Sequence, residues 1–399
     1  MSVAAAPRYA VATICARARL PMARVIVASV QRWNPGVPTV VLLADEPDDG
    51  REPGFEPIVA RDLGIPGFER LAFACDREAL SYALTPHLLR HLLRREELDA
   101  VVFLKQESLV VGDLAPVTEP LAEASIVLTP HLLAPLAGPD ALERELRVAG
   151  AGVFNGGVVG VAARPSAFAF LDWWADRTGA GCVLDPVAGL HYEQRWLDHV
   201  PSLFDDVHIL RDPGANVGHW NMPERRVEVA GDRVLVDGRP GSVVRFSGYE
   251  PEHPERVTKY LEYPTPAEIG GAGAVLQRYR DELLAAGHDA AQAAPYAYGC
   301  FDDGVPIPAL ARTLYRDLGD AAASFGDPFA TGPGTFRAWL DEPAGTGEGP
   351  VVTRLWDAVW RSRPDLRVAM PDHLGADRPA FAAWVSDWGR HEHEVSREL

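Results

Sequence analysis

The chain has 399 residues, enough for one large domain with an appendage or for two domains. Its 56 Asp and Glu against 38 Lys and Arg give a formal charge of −18, and such a field repels polyanions, which argues against nucleic acid and anionic membrane surfaces as partners. With 47% hydrophobic and 24% charged residues, and no apolar run long enough to span a bilayer, the composition is that of a globular protein.

The first stretch, Met1–Pro7, is short and Ala-rich, and the apolar run after it carries Arg17 and Arg19, which fits neither a signal peptide nor a membrane span. Tyr9–Cys15 is a β-rich run, and from Leu20 to Ala28 apolar and small residues recur at helical spacing. Val37–Ala44 predicts a second strand closing at Asp45, and Glu56–Ile58 a third. Strand, helix and strand in this order form a βαβ unit, which requires a parallel sheet covered on both faces. Arg77–Arg94 repeats apolar residues three and four apart around Pro86, so a helix kinks or restarts there, with Asp76 or Thr85 as its cap.

Ala100–Leu114 joins an apolar run (AVVFL), a polar knot of Lys105, Gln106 and Glu107, and a second apolar run ending in Gly112-Asp113. It reads as a buried strand with a loop at its carboxyl end, where open α/β sheets place their ligands. Ser125–Thr129 is the next strand, leading into Pro130-His131, and Pro139–Val148 a charged helix. Val153–Ala162 is a strand entered through Asn155-Gly156-Gly157, and paired glycines there mark backbone lying close to another segment or to a ligand. An amphipathic helix, Ser166–Arg177, carries Trp173 and Trp174.

Glu193–Val200 is a short helix, Pro213–Asn221 a polar, aromatic loop, and Arg226–Val236 with Val243–Phe246 a hairpin around Asp237-Gly238. Beyond Pro264 the pattern changes to helices separated by Pro and Gly loops, with apolar stripes at Val275–Leu284, Ala309–Leu318, Phe336–Leu340, Val352–Trp360 and Phe381–Trp388. A boundary near Glu262–Gly273 therefore divides residues 1–262 from a mostly helical region, 263–399. Cys15, Cys75, Cys182 and Cys300 show no zinc or redox spacing and read as reduced thiols of a cytoplasmic protein. His131, His191, His208 and His219 are too dispersed for a metal site and read as surface or hydrogen-bonded histidines.

Five stretches in this order, FLKQES, FNGGVVGVA, LDWW, EQRWLDHVPSLF with PGANVGHWN, and RFSGYEP, resemble bacterial glycosyltransferases of the GT-A fold. YGCFDDGVPIP, GDPF and RPDL resemble a C-terminal region found after such domains. The resemblance implies a Rossmann-like mixed sheet flanked by helices, with a nucleoside diphosphate sugar lying across the carboxyl ends of the strands. In that family an Asp-x-Asp turn, often with a later His, holds a divalent cation on the donor diphosphate. Here the turn is Lys105-Gln106-Glu107 and the His position is Arg245. Two cations at nominal ligand positions argue against a divalent ion and suit a diphosphate bound without metal.

The resemblance implies a hexosyltransferase with a small or lipid-linked acceptor, and the paired departure at Lys105 and Arg245 a metal-independent one. Lys105, Arg245, Ser247 and Gly248 are the candidates for the diphosphate, and Thr13 and Asp45 for the nucleoside. Asn155, Gly156, His219, Trp220 and Asn221 are the candidates for sugar or acceptor. Glu193-Gln194 matches an Asp-Gln pair that faces the donor sugar in such enzymes. A retaining reaction with Gln194 on that face and Glu193 orienting it is expected, and an inverting one with Glu193 or Glu107 as base is its alternative. No resident cofactor is expected. The C-terminal region is expected either to shape the acceptor site or to join a homodimer. The competing reading is a binding or scaffold protein that keeps the fold without catalysis.

Overall fold

The computed structural model describes residues 7–47, 52, 54–55, 57–262, 264–346 and 348–399. Residues 1–6 of the N-terminal stretch and Glu56, the expected start of the third strand, lie outside them. The strands in chain order are β1 (Tyr9–Cys15), β2 (Thr39–Leu43), β3 (Ile58–Val59), β4 (Ala100–Leu104), β5 (Ser108–Val110), β6 (Ile126–Pro130), β7 (Phe154–Ala162), β8 (Leu184–Asp185), β9 (Leu190–His191), β10 (Val207–Ile209), β11 (Val227–Ala230), β12 (Arg233–Val236), β13 (Arg239–Pro240) and β14 (Val243–Arg245).

Seven strands form one sheet in the order β10-β6-β7-β4-β1-β2-β3. β7 runs antiparallel to both neighbours, and every other pair is parallel. This is the mixed sheet flanked by helices that the sequence implies. All five residues of β4 are buried, as a central strand covered on both faces requires. Because β7 is reversed, its amino end lies at the sheet edge where β4 and β6 end: Leu104 pairs with Val158 and Pro130 with Phe154. One edge therefore collects Asp45, Lys105, His131 and Asn155 from strands far apart in sequence.

The expected interruption at Pro86 is found: helices span Arg77–Ala83 and Thr85–Leu93. Asp76 caps the first by accepting from the Ala79 N–H at 2.8 Å, whereas the Thr85 hydroxyl is buried without a partner among the described residues and caps neither helix.

The expected hairpin is corrected in one respect. β11, β12 and β13 form a small antiparallel sheet, with Asp237 (φ 52°) and Gly238 (φ 75°) turning β12 into β13. β14 leaves it and pairs antiparallel with β5, Val243 facing Val110 and Arg245 facing Ser108. Val243 and Val244 are thereby buried, and Arg245 is carried to the Lys105–Glu107 turn.

The chain divides into two compact units, Met1–Ile65 with Ser81–Tyr296, and Pro66–Leu80 with Ala297–Leu399. The boundary expected near Glu262–Gly273 falls inside the first unit. Helix Gly271–Ala285 buries Val275, Leu276, Tyr279 and Leu283 in the same core as Val111, Val244 and Phe246, and Phe246 stacks on Tyr279 at 4.2 Å. The second unit is helical, with Phe301, Tyr315, Phe336, Trp356 and Phe381 around Phe73 in its core. The buried Arg312 ties its two segments by donating to the carbonyls of Phe73 (2.6 Å), Cys75 (2.8 Å) and Tyr298 (2.6 Å). Among the described residues no helix is long and apolar enough to cross a membrane.

Candidate active site

β4 ends at Leu104, and the next three residues must reverse the chain into β5. Ser108 fixes that turn by donating its hydroxyl to the Lys105 carbonyl at 2.6 Å, and the Lys105 N–H bonds the Gly157 carbonyl at 3.0 Å. The turn thus sits against the glycines of β7. From β14, the Phe246 N–H reaches the Glu107 carbonyl at 2.8 Å, which sets Arg245 beside the turn.

The two cations singled out in the sequence are both buried, and each meets a carboxylate. Arg245, 2% exposed, donates from Nη2 to Glu107 Oε1 at 2.5 Å and from Nη1 to Asn155 Oδ1 at 2.8 Å. Lys105 Nζ lies 2.6 Å from Glu193 Oε1 and 3.7 Å from the centroid of the Tyr82 ring, a cation–π contact. Glu193 is 0% exposed. Burial alone would raise the Glu107 carboxyl, but the charges of Arg245 and then Lys105 outweigh it, and its pKa lies below the ordinary value. Two cations and two carboxylates make a cluster of no net charge.

Two glycines make room for this cluster. A β-carbon on Gly157 would coincide with the Arg245 guanidinium, and one on Gly156 would stand 2.5 Å from Glu193 Oε1. The close approach inferred from the Gly156-Gly157 pair is therefore an approach of side chains to backbone. Glu193 is aimed inward by Tyr192, which holds the left-handed φ of 48° that a bulky residue rarely adopts, and by the Trp174 indole, which donates to the Glu193 carbonyl at 2.9 Å.

Several other candidates brace the site. Gln194 spends both ends of its amide, Oε1 accepting from the Gly156 N–H at 2.9 Å and Nε2 donating to the Ala151 carbonyl at 3.0 Å. Asn155 Oδ1 accepts from Gly157 as well as from Arg245, and its Nδ2 lies 2.9 Å from His131 Nε2. Asn221 donates to the carbonyls of His131 (2.9 Å) and Asn216 (3.0 Å) and accepts from the Gly218 N–H at 3.0 Å, which closes its own loop. Trp220 sets its edge against His131 at 5.1 Å, and its Nε1 and the neighbouring His219 Nδ1 are buried without partners among the described residues. Burial, and then Arg245, pushes the His219 pKa down to about 4.

At the ends of β1 and β2, Thr13 is buried with no partner for its hydroxyl among the described residues, and Asp45 is buried with Oδ2 at 3.8 Å from Arg17 Nε. Beyond β14, Ser247 gives its carbonyl to the Thr258 hydroxyl at 2.9 Å, and Gly248 adopts φ 72° with Thr258 and Tyr260 packed on it. Tyr82 and Asp198 were missed in the sequence; Asp198 holds the entry to β7 by accepting from the Val153 N–H at 2.8 Å. Nothing in the local pattern marks either. His131 is different, because it directly follows a sheet strand at the ligand-binding edge, and that position could have singled it out.

A divalent ion needs several oxygen or nitrogen donors at once. The carboxylates of Glu107 and Glu193 already face cations, so as arranged this donor set does not suit such an ion. Among the described residues, the His and carboxylate group close enough to share one is Glu252, His288 and Asp289, none of it from the turn.

No family model matches the chain. It is 24% identical over 247 residues to the uncharacterized protein YfnF of Bacillus subtilis (strain 168), covering 59% of this chain and 80% of YfnF. It is 26% identical over 174 residues to YfnD of the same organism, covering 42% of this chain and 53% of YfnD. Among solved structures it is similar to the galactosyltransferase LgtC, with a TM-score of 0.39 and 13% identity, covering 69% of this chain and 95% of LgtC. It is also similar to the glycosyltransferase GlyE of Streptococcus pneumoniae TIGR4, with a TM-score of 0.39 and 15% identity, covering 73% of this chain and 67% of GlyE.

Proposed function

We propose that the chain transfers a hexose from a nucleoside diphosphate sugar to an acceptor hydroxyl, with Lys105 and Arg245 in place of a divalent cation. The observation that carries this reading is the pair of buried cations, Lys105 just after β4 and Arg245 at the end of β14, beside the turn to which the motif resemblance assigns the donor diphosphate. A departing nucleoside diphosphate gathers negative charge that fixed donors must stabilise. Both cations keep donor capacity. Lys105 has three ammonium hydrogens and is ion-paired with Glu193, and the Nε–H of Arg245 is buried without a partner among the described residues. Thr13 and Asp45 are assigned to the nucleoside, and Ser247 and Gly248 to the diphosphate beside Arg245.

The transfer is proposed to retain configuration. Glu193 and Gln194 stand beside the sugar's place, and the leaving phosphate takes the acceptor's proton on the face it has just left. Gln194, Asn155 and Gly156 hold the architecture there, and His219 with Trp220 borders the acceptor. The decisive assay follows transfer or slow hydrolysis of UDP, GDP and TDP sugars after exhaustive chelation, with the anomeric configuration of the product read by NMR. Turnover without metal and a retained anomer are expected. A strict requirement for Mn²⁺ or Mg²⁺ overturns the role of the two cations, and an inverted anomer the retaining course.

The neutralised state of both cations favours a second reading, a nucleotide-sugar binding protein without catalysis. Tight binding with no turnover of any donor would establish it, and absence of all nucleotide binding would leave only a scaffold that keeps the fold.

A further inference from the structure

We propose that His131 is a positioning residue that sets the Arg245 guanidinium through the side chain of Asn155. The orientation of the Asn155 amide is forced by its neighbours. One end faces the Gly157 N–H at 2.8 Å and Arg245 Nη1 at 2.8 Å, both pure donors, so that end is the carbonyl oxygen. The other end is then the NH2, and it faces His131 Nε2 at 2.9 Å. His131 Nε2 must therefore be a bare acceptor, and the ring proton belongs on Nδ1, which lies 3.3 Å from the Val153 carbonyl. The result is a continuous line of donation, with Arg245 giving one N–H to Glu107 and another to Asn155, Asn155 giving one to His131, and His131 one to Val153.

A protonated His131 would present N–H against N–H, and the Asn155 amide would turn over and offer its NH2 to a guanidinium. Burial works against that state, as do the charges of His219 and Arg245, while the Val153 and Gly152 backbone favours it. The balance leaves the pKa at about 3. Removal of the imidazole acceptor leaves the Asn155 NH2 buried without an acceptor, so the amide that anchors one arm of Arg245 is held by its oxygen end alone. The effect on donor binding rests on the transferase reading; the arrangement of the three side chains does not.

The test compares His131→Leu with His131→Gln, whose side-chain oxygen reaches the place of Nε2. Affinity for UDP, GDP and TDP is measured by calorimetry, and the Arg245 and His131 nitrogens are observed by ¹⁵N NMR. In the wild type the imidazole is expected neutral with its proton on Nδ1 at pH 7. In the leucine variant the Arg245 signals should shift, and nucleoside diphosphate binding should weaken by about fivefold to tenfold, the equivalent of one neutral hydrogen bond that no longer steadies the amide holding Arg245. Glutamine should restore most of both. A proton on Nε2 in the wild type overturns the proposal, as do unmoved Arg245 signals in a folded leucine variant or a glutamine variant no better than leucine. If the leucine variant does not fold, the wild-type tautomer and the glutamine variant decide. If the wild type binds no nucleoside diphosphate at all, the transferase reading fails, and the Arg245 and His131 signals still settle the positioning.

Discussion

The Arg245 guanidinium occupies the space in which any residue other than glycine at position 157 would place its side chain. Gly157→Ala must expel it from its pair with Glu107. Breaking a buried ion pair costs about 3–5 kcal/mol, because the partner stays buried and uncompensated. A fall of that size in unfolding free energy is expected by denaturant titration, and an unchanged midpoint would show that Arg245 does not reside against β7.

Lys105 and Glu193 should behave as a coupled pair. Lys105→Met leaves a fully buried carboxylate without its ammonium, and about 3–5 kcal/mol of stability should be lost. Adding Glu193→Gln should restore much of it, with a coupling of about 1–3 kcal/mol in a double-mutant cycle. Strictly additive losses would mean that the contact contributes nothing.

Glu107 competes with any phosphate for Arg245. Glu107→Gln keeps the shape and removes the competitor, so nucleoside diphosphate affinity measured in chelator should rise, by roughly tenfold for about 1.4 kcal/mol of released attraction. A metal-dependent loss of affinity would instead mark Glu107 as an ion ligand.

His131 and His219 give the stability a pH dependence with a definite sign. Their folded pKa values of about 3 and about 4 lie below the ordinary histidine value of 6.5, so the unfolded chain binds more protons between these limits. Their contribution is complete above pH 6.5 and declines as the pH falls towards 4, by roughly 1.4 kcal/mol per pH unit for each histidine. In His131→Gln the slope over that interval should lessen by one histidine's share; an identical slope would show that His131 is not buried neutral.

The sequence made the single elements of the site legible and left their partners hidden. The apolar run before Lys105, the paired glycines of β7 and Arg245 before Phe246 each carry a local signal, and the fold brings them side by side. What no pattern contains is which carboxylate meets which cation. Glu107 with Arg245 and Lys105 with Glu193 are pairs formed across the fold, and they turn two apparently available positive charges into a balanced cluster. Val243–Arg245 was misread for a similar reason. Its alternation continues that of the hairpin, but the ladder it completes belongs to β5, far back in the chain.

Phe73 has its ring neighbours Phe301, Tyr315, Phe329 and Phe336 at the other end of the polypeptide. During synthesis this aromatic segment must emerge and wait, uncovered, until the residues from Phe301 to Phe336 have followed it out of the ribosome. A truncation after Tyr296 would make that wait permanent and leave Phe68 and Phe73 as an adhesive surface. A soluble short version of the first unit therefore has to replace residues 66–80 by a polar link as well as drop the tail.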